Sequence, residues 1–129
     1  AAARSAYEAG LAIAERLAAS DPGNAGWQRD LSISHNKIGD VARAAGDLAA
    51  ARSAYEAGLA IRQRLAVSDP GNAGWQRDLW VSYWKMADLD DPAYPWSRVL
   101  AKLEEMHAAG TLAPVDVEFL EEARRLAAG

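Results

Sequence analysis

The sequence predicts an all-α domain made of repeated helix pairs, and two observations predict it. The first is composition: of 129 residues 30 are Ala, while Val and Ile together number 10 and Thr111 is the only threonine. Ala is the strongest helix former, whereas strands favour β-branched and aromatic residues, so a β-rich fold is excluded. The second is an internal duplication. Residues 1–41 laid over 49–89, an offset of 48, agree at 31 of 41 positions. Shared helical composition does not produce identity of that level, so the chain reads as a repeat array.

The elements follow in order. Residues 2–20 read as a helix that is the second member of a pair and lacks its first. The chain is therefore expected to be cut from a longer array or to open on a half repeat. Asp21-Pro22-Gly23-Asn24 joins a helix-stopping Pro to a flexible Gly and an Asn suited to N-capping. A helix over 25–45 carries Trp27, Leu31, Ile38, Val41 and Ala45 at helical spacing. Gly46-Asp47 supplies a C-cap and the next start. The helix over 47–68 carries Leu48, Ala51, Tyr55, Gly58, Leu59, Ile61 and Leu65, and its small residues Ala51, Ala54 and Gly58 admit a neighbouring helix closely. Asp69-Pro70-Gly71-Asn72 repeats the turn before a helix over 73–89, and Trp75, the copy of Trp27, is expected to be buried as Trp27 is. The period breaks at Asp90-Asp91-Pro92. A helix over 93–109 follows, with Pro95 near its first turn and Gly110 as its stop. A last helix over 114–127 opens at Pro114 with Asp116 and Glu118 in its first turn and Val117, Leu120, Ala123 and Leu126 on its apolar face. Residues 1–129 are thus expected to form one domain, with repeats over 1–90 and a C-terminal cap over 91–129, because terminal repeats must cover an exposed face.

Ile38-Gly39, Ala42, Ala51, Tyr55 and Pro70, with His35 ahead of them, resemble the tetratricopeptide repeat pattern of Trp, Leu-Gly, Tyr, Ala, Phe and Pro. The stretch from Ile38 to Tyr55 keeps the family spacing without a gap. The family repeat is about 34 residues, and this one is 48. The extra length falls in two equal parts of seven, one between Tyr55 and Pro70 and one between Pro70 and Tyr83. Seven residues are close to two helical turns, so each helix lengthens while its buried face keeps its direction. The resemblance covers roughly 1–89 and implies a helix-hairpin superhelix, a TPR-like α-α solenoid.

What the resemblance implies about function is a protein–protein interaction scaffold that takes a peptide or helix in a concave groove lined by first helices. That groove would be lined by Ile33, Asn36, Lys37, Asp40 and Arg43, and by Val81, Trp84, Lys85 and Asp88 in the next copy. Some family members clamp a peptide's terminal carboxylate with Lys and Asn. Asp40 and Asp88 stand where Asn would be, and an acid repels that ligand. Two other readings stand beside this one: a regulatory or sensor segment of a larger signalling or defence protein, and a self-associating module. The latter would use an N-terminal edge at Tyr7, Leu11, Ile13 and Leu17, whose counterparts Tyr55, Leu59, Ile61 and Leu65 have helices to pack on.

Differences between the copies mark differences in surroundings: Ser32 becomes Trp80, His35 becomes Tyr83, Asn36 becomes Trp84 and Ile38 becomes Met86. Trp80 and Trp84 lie four apart on one helix face. Either the cap covers them, joined by Tyr94 and Trp96, or they form an aromatic floor for a partner.

No enzyme is expected. His35 and His107 are the only histidines and neither has metal-ligand spacing to another donor. Glu104-Glu105 and Glu121-Glu122 read as solvent-facing acids of surface helices. The Pro-Gly-Asn-Ala-Gly turns lack the Lys-Ser/Thr of a phosphate loop, so no cofactor or metal is expected. The absence of Cys removes disulfide scaffolds and Cys-based zinc sites. A net charge of −4 argues against nucleic acid as partner. No apolar run reaches the roughly 20 residues of a membrane span and no signal peptide opens the chain, so no membrane partner and a cytoplasmic location are expected.

Overall fold

The computed structural model describes residues 2–129, with side chains described from Arg4 onward. The chain is all-α, and no strand occurs among the described residues. Six α-helices follow in order: α1 Ala2–Ser20, α2 Ala25–Ala44, α3 Leu48–Ser68, α4 Ala73–Asp88, α5 Trp96–Ala108 and α6 Val117–Ala128, the last preceded by a 3-10 turn at Pro114–Asp116. They form two compact units. One ends at Ser68 and holds α1 to α3; the other is Asp69–Gly129 and holds α4 to α6.

The helix ends lie where cap chemistry puts them. Asn24 and Asn72 are extended N-cap residues, and each accepts the backbone N–H of the Trp three residues on, Trp27 and Trp75, at 3.0 Å. α2 stops at Gly46, whose φ of +81° is open to glycine at no steric cost. The Asp47 N–H reaches back to the Ala42 carbonyl at 2.9 Å, and the Asp47 carboxylate then accepts the Ala50 N–H at 3.1 Å, capping α3. Gly110, at φ +74°, closes α5 in the same way, with the Thr111 N–H on the Met106 carbonyl.

Two starts differ from the sequence expectation. The fifth helix opens at Trp96 rather than 93, because Asp91 organises a turn first: its carboxylate accepts the Ala93 N–H and its carbonyl the Tyr94 N–H. Pro95 is an extended N-cap, and a residue preceding Pro is held out of the helical region. The sixth helix begins with the 3-10 turn, and Asp116 makes no side-chain cap bond. It is buried instead, and Arg77 of α4 holds both its oxygens, Nε to Oδ2 at 2.8 Å and a terminal nitrogen to Oδ1 at 3.1 Å. That hydrogen bond raises the Arg77 pKa above its ordinary value, so the guanidinium stays charged.

In the first unit α2 packs against both α1 and α3. Tyr55 of α3 is only 1% exposed; its ring occupies the space a Cβ on Gly39 would need, and its hydroxyl donates to Asp40 Oδ1 at 2.5 Å. One turn on, Gly58 lies against the Ser32 carbonyl and Asn36. The buried Arg62 donates from Nε to Ser32 Oγ at 3.1 Å. In the second unit α5 packs against α4 and α6 around Trp80, Ala87, Val99, Leu103, Met106, Leu120 and Ala123. Beside that core the Arg98 guanidinium lies over the rings of Tyr83 and Tyr94, at 4.9 and 4.5 Å.

Trp27 and Trp75 share one burial state, as equivalent positions should, but both are half-buried rather than enclosed. Trp27 sits by Gly10, Ile13, Ala14 and Leu17 of α1. Trp27→Ala and Trp75→Ala are each expected to cost about 2 kcal/mol, less than a fully buried Trp would. Urea unfolding of the two variants checks this.

Candidate functional site

The residues expected in a groove divide between structural and exposed roles. On α2, Asn36 is buried against Gly58, and its Oδ1 has no hydrogen-bond partner among the described residues. Asp40 is exposed but takes the Tyr55 hydroxyl, so part of its acceptor capacity holds α3 in place. Lys37 is exposed with its ammonium 5.5 Å from the centre of the Tyr7 ring. Ile33 is half-buried and Arg43 exposed. On α4, Val81 packs on the core, Lys85 is half-buried and Asp88 is exposed.

Trp84 differs from these. Its partner one turn back, Trp80, is 2% exposed and belongs to the core, which explains half of the Ser-to-Trp and Asn-to-Trp changes between the copies as packing. Trp84 itself is half-buried. Its ring meets Trp96 edge-on at 4.9 Å and Phe119 edge-on at 5.5 Å, and stands 6.3 Å from Trp80. These contacts fix the indole plane and leave part of it open. That part lines a shallow groove of about 610 Å³ with Glu118, Phe119, Glu121, Glu122 and Arg125. Arg125 is paired with Glu122, so Glu118 and Glu121 set the sign of the groove. An aromatic face flanked on one side by carboxylates suits a cationic side chain carried on an apolar stem.

Sequence reasoning named Trp84 but not its groove partners. Glu121-Glu122 read as solvent-facing acids, and nothing local links Phe119 to a Trp 35 positions earlier. The one available signal was the spacing of Glu118, Glu121, Glu122 and Arg125, which puts them along one side of a helix.

At the N-terminal edge, Tyr7 is 37% exposed, Ile13 52% and Leu17 40%, whereas Leu11 is half-buried. Trp27 and Asp30 of α2 reach the margin of this face. Nothing lies within 4 Å of where a Cβ on Gly10 would stand.

His35 has a perturbed pKa. Burial lowers it below its ordinary 6.5, and the Glu15 carboxylate opposes the shift only in part. A base whose folded pKa is depressed contributes stability that is complete above 6.5 and lost as the pH falls through the folded value. His35→Gln is therefore expected to flatten the loss of stability between neutral and mildly acidic pH. Thermal unfolding of the variant and the parent across that range checks it.

Among the described residues no cluster of three His, Cys, Asp or Glu could hold a metal ion, and no helix is long and apolar enough to cross a membrane. No family model, curated protein or solved structure matches the chain.

Proposed function

We propose that the chain is a protein-interaction module of tetratricopeptide type that holds a segment of a partner protein at Trp84, through a cationic side chain flanked by an apolar one. The α2–α3 hairpin serves as a repeat pair, and in the second unit α5 packs against α4, the copy of α2, and against α6. The packing of Tyr55 over Gly39 supports the repeat reading, because a small first-helix residue beneath a second-helix aromatic is what the shared spacing requires. The observation that carries the binding reading is the groove itself: a half-open indole, held by Trp96 and Phe119, beside Glu118 and Glu121. An arginine or lysine stem would cover the Phe119 and Trp84 faces while its head meets the carboxylates.

The test is calorimetric titration of the whole chain with two short peptides that differ only in Arg or Glu beside a Leu. The Arg peptide is expected to bind in the micromolar range and to weaken as salt is added. The double variant Glu118→Gln, Glu121→Gln is expected to lose about tenfold, each lost charge-assisted contact contributing part of the change. Equal binding of the Glu peptide, or no effect of the double variant, would overturn the assignment.

A further inference from the structure

We infer that the exposed face of α1 is a docking site for a helix of α2 type, one that presents Ser, Asn, Gly and Asp at the spacing of Ser32, Asn36, Gly39 and Asp40. The occupant is identified inside the chain. α1 repeats α3: residues 1–20 and 49–68 differ only at 14, 15 and 19. What covers α3 is known. Tyr55 lies over Gly39 and bonds Asp40, and Gly58 sits against Ser32 and Asn36. Ile61 and Leu65 share a hollow with Pro22 and Gln28, from the start of the same segment. On α1 the corresponding Tyr7, Gly10, Ile13 and Leu17 are exposed. α1 thus offers the same ring and hydroxyl, the same glycine notch and the same aliphatic pair. The complement of that surface is α2.

The copy on α4 sharpens the specification. Trp80, Trp84 and Ala87 stand where α2 has Ser32, Asn36 and Gly39. Trp80 and Ala87 are committed to the core with α5 and α6, and two indoles have no room against a glycine notch. The face therefore selects an α2-type helix and rejects an α4-type one. A second copy of this chain is not the occupant, because its α2 already holds Tyr55 on Gly39 and Asp40.

The proposal is independent of the Trp84 groove, and its test leaves the whole chain intact. Residue 1 is the counterpart of residue 49, so a second copy of residues 21–48 placed directly before residue 1 recreates the native junction. The added helix is expected to slow amide exchange along 6–17 by about tenfold or more and to raise Tm. An added copy carrying Gly39→Leu, or carrying Ser32→Trp, Asn36→Trp and Gly39→Ala together, is expected to do neither. Because only the added copy is altered, the original α2–α3 pair reports that the host still folds. Three results would overturn the proposal: no change on adding the α2 copy, an equal change with the altered copies, or dimerisation of the unmodified chain that Ile13→Glu abolishes. The last would give the face to a second copy.

Discussion

Tyr55→Ala is expected to destabilise the chain by about 3–5 kcal/mol, whereas Tyr7→Ala costs less than about 1 kcal/mol. The two tyrosines sit in the same sequence, Ala-Arg-Ser-Ala-Tyr-Glu-Ala-Gly-Leu-Ala-Ile, so helix propensity and the unfolded chain contribute almost equally to both changes. What differs is the surroundings. Removing the Tyr55 ring empties the space over Gly39, where only a backbone lies beneath it, and takes away the donor to Asp40. Glycine cannot fill that cavity, and two helices joined by a short turn cannot collapse into it freely. Tyr7 is over a third exposed and loses mainly the approach of Lys37, a weak interaction in water. Chemical denaturation with unchanged m-values would measure the difference directly.

Trp80→Ser writes the α2 residue into α4 and is expected to cost about 3–5 kcal/mol, the range for a fully buried Trp. Trp80 is packed among Ala87, Val99, Leu103 and Leu120, with the Phe119 ring at 5.5 Å and the Arg77 guanidinium 5.5 Å from its own. The reverse change, Ser32→Trp, places an indole where Gly58 and Arg62 approach α2, and it is expected to be equally damaging through overpacking. Two helices that agree at most positions are thus committed to different neighbours by a few residues. Thermal unfolding of both variants checks this pair.

The cap chemistry could be read residue by residue because it is local. Asn24, Asn72, Gly46, Asp47 and Gly110 each act on groups within five positions of themselves. The same locality explains the misplaced start of α5, where the Asp91 turn and Pro95 competed with a run that otherwise suits a helix. Roles that depend on distant partners stayed hidden. Asp116 read as a first-turn acid, and its engagement by Arg77 spans 39 positions. Asp40 read as a ligand-facing acid, yet it anchors a tyrosine 15 positions on. For Trp84 the sequence offered packing and binding as alternatives. The structure packs both on the core, Trp80 buried within it and Trp84 half-buried against it beside Trp96 and Phe119, with part of the Trp84 ring open.

The five tryptophans supply the most direct measurement of the binding reading. Each indole N–H gives its own nuclear magnetic resonance signal, assignable by single Trp→Phe changes. On titration of the whole chain with the Arg-bearing peptide, the Trp84 signal is expected to move progressively and saturate, while those of Trp27 and Trp75 stay in place. A peptide that binds while the Trp84 signal stays fixed, or that moves Trp27 instead, would contradict the account.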